Sequence, residues 1–252
     1  MLHYHPIGKN FRALVYQENN FLVCYRVTSD QVTHNARTNM NKFPKINFFY
    51  PYGDSLLKRT FDIVVSLLLL IILFPFLLLV ALLIYLDSPG PIFFSQPRPG
   101  KDGQRFTIWK FRSMCLDAEI RREKLLDCNE MSDGIIFKMK NDPRLTRMGK
   151  IIRQLSIDEL PQLFNVLRGE MSLVGPRPHL LEEAAKYTPY QRQRLKVKPG
   201  ISCIWQVSGR SDVSFSQGIE MDLFYIQNQS FWLDISILLR TVPIVLKRKG
   251  AY

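Results

Sequence analysis

Residues 63–86 read IVVSLLLLIILFPFLLLVALLIYL and contain no charged side chain. At about 1.5 Å per residue, a helix over this stretch is long enough for a hydrocarbon core about 30 Å thick. The alternative, a buried helix of a soluble domain, would need apolar cover on every side. The stretch therefore predicts a membrane anchor, and the rest of the chain is arranged around it. Pro75 lies near its middle, where a missing N–H kinks or breaks a helix. Lys58 and Arg59 precede it, and Lys101, Arg105, Lys110 and Arg112 follow. Basic residues on both flanks place both on the cytoplasmic side. That favours a re-entrant helix-break-helix with its break at Pro75, although a single crossing also occurs with such flanks.

Outward from the anchor the chain divides into 1–57, an N-terminal extension and linker; 58–87, the anchor; and 88–252, a cytosolic domain facing the membrane. Phe11–Tyr16 and Phe21–Val27 read as short strands or a hairpin across QENN. Residues 29–47 read as linker. No apolar core of a cleavable signal is expected in residues 1–20. KDGQ at Lys101–Gln104 marks a hairpin turn between FFSQ and RFTIWKF. Leu145–Leu155 is predicted to be amphipathic, with Ile151, Ile152 and Leu155 inward. Ser156–Glu159 has capping-box form, Ser156 as N-cap and Glu159 at N3. The following short helix would bury Leu160, Leu163, Phe164 and Leu167. Helices are also expected over Leu180–Tyr187, Gln217–Gln227 and Trp232–Leu246.

The formal charge of +12 comes from 34 Lys plus Arg against 22 Asp plus Glu. It suits anionic headgroups or phosphorylated substrates. The sequence has no zinc-finger spacing, dinucleotide-binding glycine pattern or Walker loop. With an apolar anchor present, nucleic acid is not the expected partner. Cys24, Cys115, Cys128 and Cys203 form no CxxC pair, which fits reduced thiols in a cytosolic setting.

Asp158 and Glu159 are adjacent, near Arg153, Arg168, Arg177 and His179. The positive end of a helix stabilises carboxylates, and arginine forks bind dianionic groups bidentately. By itself an Asp-Glu pair beside arginine is also common on solvated surfaces. Val174-Gly-Pro-Arg-Pro178 is less ordinary. Two prolines hold the backbone around Arg177 and Gly175 permits a close approach, a suitable build for a phosphate clamp. His179 is a candidate base or a structural donor.

These motifs resemble those of the monotopic bacterial phosphoglycosyl transferases, the polyprenyl-phosphate sugar-1-phosphate transferases. The resemblance runs through KRTFD at Lys58–Asp62, the proline-interrupted anchor, PIFFSQPRPGKDGQRFTIWKFRSM and KNDPRLTRMGKIIRQLSIDELPQLFNVLRGEMSLVGPRP. It continues in KPGISCIWQVSGRSD and the tail to Tyr252, like the long hexose-1-phosphate branch. It implies an α+β fold, a compact domain of short helices and a small sheet on a re-entrant anchor at the inner membrane, active on the cytoplasmic face. It implies that sugar 1-phosphate passes from a UDP-sugar to undecaprenyl phosphate with release of UMP, initiating exopolysaccharide, capsule or O-antigen synthesis. Asp158 corresponds to the family nucleophile, which forms a covalent phosphosugar intermediate. Glu159 corresponds to the Mg²⁺-binding carboxylate, with Asp158 a second candidate ligand. Arg153 and Arg177 are the candidate phosphate holders, with Arg112 and Arg210 behind them. Longer members of the branch carry N-terminal membrane helices that residues 1–57 lack. A homodimer and the identity of the sugar stay open. Two competing readings are a metal-dependent lipid phosphatase or pyrophosphatase and a non-catalytic scaffold for polysaccharide enzymes.

Overall fold

Ser55 starts the longest element of the structure, a computed structural model that describes residues 2–6, 11–18, 21–28, 52–125, 139, 142–208 and 213–246. Its hydroxyl accepts a hydrogen bond from the Lys58 amide (3.1 Å) and caps α1, Leu56–Asp87. This helix continues through Pro75 to the C-cap at Ser88, so the break expected at Pro75 is not observed. A proline costs an interior helical hydrogen bond and crowds the preceding turn, but the apolar run on both sides keeps the chain helical. Lys58, Asp62, Ser66 and Leu70 are buried along the first half and Val80 and Ile84 along the second. Their spacing of about one turn puts each set on one stripe. Between them Ile71, Ile72, Phe74, Phe76, Leu78 and Leu79 are exposed. A soluble core helix would bury such residues, so the exposed midsection is what a membrane-embedded helix requires.

The chain forms two units, Met1–Phe48 and Phe49–Tyr252. The first contains a three-stranded antiparallel sheet in the order β1 (Leu2–Pro6), β2 (Phe11–Glu18), β3 (Phe21–Thr28). Glu18 pairs with Phe21, so the expected hairpin is present, and β1 adds a strand that the sequence reading lacked. The expected linker over 29–47 lies outside the described residues.

In the second unit, β4 (Phe93–Pro99) and β5 (Arg105–Phe111) form the hairpin predicted around KDGQ, with Phe93 opposite Phe111 and Pro99 opposite Arg105. The strand period of two turns Phe106 and Ile108 inward. Helices α2 (Ala118–Lys124) and α3 (Arg147–Gln154) follow; the Thr146 hydroxyl caps α3 by accepting from the Gly149 amide (2.9 Å). Ile152 of α3 packs with Phe111, Val80 and Ile84, fastening the second half of α1 to the hairpin. Ile151, expected inward, is exposed, because the short α3 has only one covered stripe.

Next comes α4, Gln162–Arg168, terminated by Gly169 at φ +83°. It buries Leu163 as expected, but Leu160 and Leu167 are only half-buried, Phe164 is exposed, and Val166 and Asn165 are fully buried instead. The Asn165 amide donates to the Thr107 carbonyl and to Glu170 (both 2.7 Å), while its oxygen accepts from the Trp109 amide (3.1 Å). A polar side chain thus locks β5 to α4.

Strand β6 (Ser172–Val174) runs parallel to β7 (Gly200–Ser202). A Cβ on Gly200 would come within 2.0 Å of the Gly175 nitrogen, so this pairing requires glycine. The close approach inferred at Gly175 is present: its amide donates to Ser202 (3.0 Å) while Gly200 donates to Pro176 (2.9 Å). Helices α5 (Leu181–Ala185), α6 (Ile204–Ser208), α7 (Phe215–Gln227) and α8 (Phe231–Leu246) complete the unit. The result is α+β, with short helices and small sheets around one long apolar helix.

The basic residues before the anchor prove not to be surface charges. Lys58 is 4% exposed; its ammonium lies 2.9 Å from Asp62 and 2.6 Å from Asp234 of α8. Tyr225 and Tyr52 donate to Asp234 (2.8 and 3.1 Å). The Arg59 guanidinium donates to the carbonyls of Val166 (2.6 Å) and Leu167 (2.7 Å) at the end of α4, where cations are favoured.

Candidate active site

The carboxylate pair sits on a tight turn rather than in a capped α-helix. Ser156 has a left-handed backbone (φ +52°) and makes no side-chain cap bond, and a single 3₁₀ turn spans Ile157–Glu159. The expected capping box is absent because the Glu159 carboxylate has two stronger partners. Arg177 forks onto it, Nη1 to Oε2 at 3.0 Å and Nη2 to Oε1 at 2.5 Å, and Lys110 Nζ donates to Oε1 at 2.7 Å. Charge-assisted bonds of this kind outweigh a bond to one neutral amide.

Asp158 is treated differently. It is 6% exposed, its nearest cation is Lys110 at 3.9 Å, and no hydrogen bond reaches its carboxylate among the described residues. Burial pushes the Asp158 carboxyl up, against the opposing pull of Lys110 and with the added repulsion of Glu159. For Glu159 burial also acts upward, but Arg177 and Lys110 outweigh it and hold this carboxyl far below the usual range. Neighbouring acids with opposed shifts are a common mark of divided chemical roles.

Both carboxylates line one cavity of about 520 Å³, together with Lys110, Arg153, Arg177 and His179, a size suited to a small organic ligand. Arg153 contributes charge with no direct ion pair among the described residues. Arg177 has its backbone pinned as the two prolines suggested: Arg194 donates to its carbonyl (2.8 Å) and Arg98 donates to that of Pro178 (3.2 Å). Arg112 also lines the cavity, but its guanidinium donates to the Ser88 carbonyl and so holds the exit of α1. Its Nε and Nη1 are buried without a hydrogen-bond partner among the described residues. Arg210 lies outside the described residues. Pro75 belongs to the exposed part of α1, apart from this cavity.

Lys110 is the site residue that the sequence reading used only as a flanking charge. Its signal was parity, since it follows Phe106 and Ile108 at the inward-facing period of β5. Asn165, which orients that strand, carried no such signal.

Among the described residues no cluster of three or more His, Cys, Asp or Glu side chains could enclose a metal ion. A site of one or two carboxylates completed by water and substrate phosphate is nonetheless the usual habit of Mg²⁺, and the hard oxygens of Asp158 and Glu159 fit that donor type.

Comparison with known proteins agrees with this arrangement. A UDP-galactose-lipid carrier transferase of Erwinia amylovora is 44% identical over 204 residues, covering 80% of this chain and 43% of that protein. An undecaprenyl-phosphate galactose phosphotransferase of Salmonella typhimurium is 44% identical over 199 residues, covering 78% of this chain and 42% of the relative. The chain therefore spans less than half the length of these two relatives. It covers 88% of an exopolysaccharide production protein, ExoY, of Sinorhizobium fredii, at 39% identity over 198 residues and 77% of this chain. The model of the bacterial sugar transferase family matches residues 53–248, which include the long helix and every carboxylate and cation of the described cavity, and the chain belongs to that family.

Proposed function

We propose that the protein transfers a hexose 1-phosphate from a UDP-hexose to a polyprenyl phosphate, undecaprenyl phosphate, and releases UMP, as the first step in building an exopolysaccharide, capsule or O-antigen. The names of the relatives make galactose and glucose the first hexoses to test. The observation that carries the reading is the asymmetry of the carboxylate pair. Both oxygens of Glu159 are engaged by Arg177 and Lys110, whereas those of Asp158 accept no hydrogen bond from a described residue.

An Asp158 oxygen attacks the sugar-bearing phosphorus of the donor. The bond from that phosphorus to the bridging oxygen breaks, and UMP leaves with the electron pair. A phosphate oxygen of the lipid then attacks the aspartyl phosphosugar, forming the lipid diphosphate sugar and returning the Asp158 carboxylate. The relay divides one transfer between anions into two easier steps. Lys110, Arg153 and the Arg177 fork supply positive charge where it develops on the phosphoryl oxygens. Asp158 and Glu159 would hold Mg²⁺, whose contribution when bound is neutralisation of the diphosphate.

The anchor supports a membrane-facing site. Both halves of α1 bury their stripes in the same unit while the stretch around Pro75 is exposed. That pattern fits a re-entrant helix with both ends on the cytoplasmic side of the inner membrane, where nucleotide sugars are found.

Purified protein is to be incubated with UDP-galactose or UDP-glucose and Mg²⁺, quenched rapidly and weighed intact. The expected result is a phosphohexose adduct on Asp158, at most one UMP per protein, and loss of the adduct on adding undecaprenyl phosphate. Release of UMP only when both substrates are present would replace the relay with direct attack by the lipid phosphate. Free hexose phosphate as the sole product would identify a hydrolase, and loss of function in a folded Asp158→Asn would argue against a non-catalytic scaffold.

A further inference from the structure

A chain of buried polar groups that the transfer reaction does not explain reaches the cavity lining through His179, Arg194 and Asp222. Asp222 of α7 accepts from Arg194 Nη2 at 2.5 Å. Arg194 Nη1 donates to the Tyr187 hydroxyl at 2.6 Å, and that hydroxyl lies 2.6 Å from His179 Nδ1. Arg194, Tyr187 and Asp222 are each at most 5% exposed. The His179 ring is held at its faces and edges by Tyr187 and Phe215, with centroids at 5.9 and 5.6 Å, and it lines the cavity.

The direction of the hydrogen bonds follows from the donors available. Arg194 has no lone pair to offer, so the phenol oxygen must accept from it. The phenol has one hydrogen of its own, and His179 Nδ1 is the acceptor within reach. If Nδ1 instead carried the ring proton, the phenol hydrogen would be buried without an acceptor, which costs more than a net hydrogen bond returns. Burial pushes the Tyr187 hydroxyl up, although Arg194 opposes it, so the phenol keeps that hydrogen at neutral pH. Nδ1 is therefore the accepting nitrogen, and the proton of the neutral imidazole is on Nε2.

We propose that His179 is a donor-recognition residue: a neutral imidazole, locked by the Asp222–Arg194–Tyr187 relay in the Nε2–H form, which donates a hydrogen bond to an acceptor oxygen of the UDP-hexose. The acceptor is a hexose hydroxyl or a diphosphate oxygen. Arg194 also holds the Arg177 carbonyl, so one guanidinium sets the recognition residue and the phosphate fork together. This inference rests on the cavity being the donor site.

The test compares His179→Gln, whose amide nitrogen can replace Nε2–H, with His179→Asn, whose shorter amide replaces the Nδ1 position. In the full-length protein, kcat/KM for UDP-galactose and UDP-glucose is expected to be about tenfold higher for His179→Gln than for His179→Asn, through KM rather than kcat. Inhibition by UDP separates the two acceptors. A weaker UDP in His179→Asn assigns the contact to the diphosphate, and an unchanged UDP with a raised UDP-hexose KM assigns it to the sugar. Equal kcat/KM in the two variants overturns the proposal. Imidazole ¹⁵N spectra of the wild type, which require no variant to fold, are expected to show protonated Nε2 and unprotonated Nδ1, with Nε2 moving on addition of UDP-hexose. The opposite tautomer, or an Nε2 that ignores the nucleotide sugar, also overturns it. Absence of UMP release by wild type with either sugar and undecaprenyl phosphate would instead count against the donor-site reading itself.

Discussion

Asp158 and Glu159 differ by one residue in sequence and by the sign of their electrostatic shift, and their variants should differ accordingly. The folded state raises the Asp158 carboxyl. Its stabilising neutral form is complete below the unfolded pKa and is lost as pH rises through the folded one. Asp158→Asn, a mimic of the neutral acid, is expected to abolish turnover yet raise the melting temperature, with the gain larger at about pH 8 than at about pH 5. Glu159 has the opposite sign: its contribution is present above the ordinary carboxylate range and is lost only in strong acid. Glu159→Gln leaves Arg177 and Lys110 without their counter-charge and is expected to cost about 2–4 kcal/mol at neutral pH, measured by denaturation in detergent. Arg177→Lys keeps the charge but not the fork, and a fall of at least about 30-fold in kcat/KM is expected, equivalent to about 2 kcal/mol. A wild-type rate would reduce Arg177 to a structural partner of Glu159. At this scale the sequence exposed the pair and the proline-bracketed arginine, because residue type and local backbone constraint are written there. It could not say which carboxylate the cations would neutralise, since Lys110 arrives from a strand nearly fifty residues away.

Among the elements, α1 carries the clearest structural prediction. Cysteines placed at Leu56 and Ser95, both exposed, should be labelled from the cytoplasmic side only if the helix is re-entrant. Labelling of either from the periplasm would establish a crossing. Ser55 is unsuitable as a probe because its hydroxyl caps the helix. Pro75→Leu restores the missing amide donor and removes the ring that crowds the previous turn, a difference of about 3 kcal/mol in helix interiors. It is expected to make some molecules span, with Leu56 and Ser95 then labelled from opposite sides. The hairpin β4–β5 and helices α3, α4, α7 and α8 were also foreseeable, because alternation and turn chemistry act within a few residues. The misplaced Ile151 and Phe164 show where periodicity ends. A helix of two turns has apolar residues enough for a wide stripe, but its neighbours cover only part of it.

For the whole second unit, the buried Lys58–Asp62–Asp234 group with Tyr52 and Tyr225 joins α1 to α7 and α8 across the chain. Asp234→Ala leaves the Lys58 ammonium short of one carboxylate at a 4% exposed position and is expected to destabilise the unit by about 3–5 kcal/mol. Chemical denaturation would read this directly, and a loss below about 1 kcal/mol would show that Asp62 suffices. The sequence by itself determined an apolar helix, an α+β succession of short elements and the residues able to do phosphate chemistry, because hydropathy, turn residues and proline geometry are local. It misjudged Lys58 and Arg59, which looked like charges facing a membrane surface. Only the tertiary structure turned them inward, against α8 and the end of α4, because a buried charge is permitted only where distant carboxylates and carbonyls converge on it. The same reason governs the cavity: Lys110, Arg177 and Glu159 acquire their electrostatics from β5, the segment after β6 and a 3₁₀ turn meeting at one point.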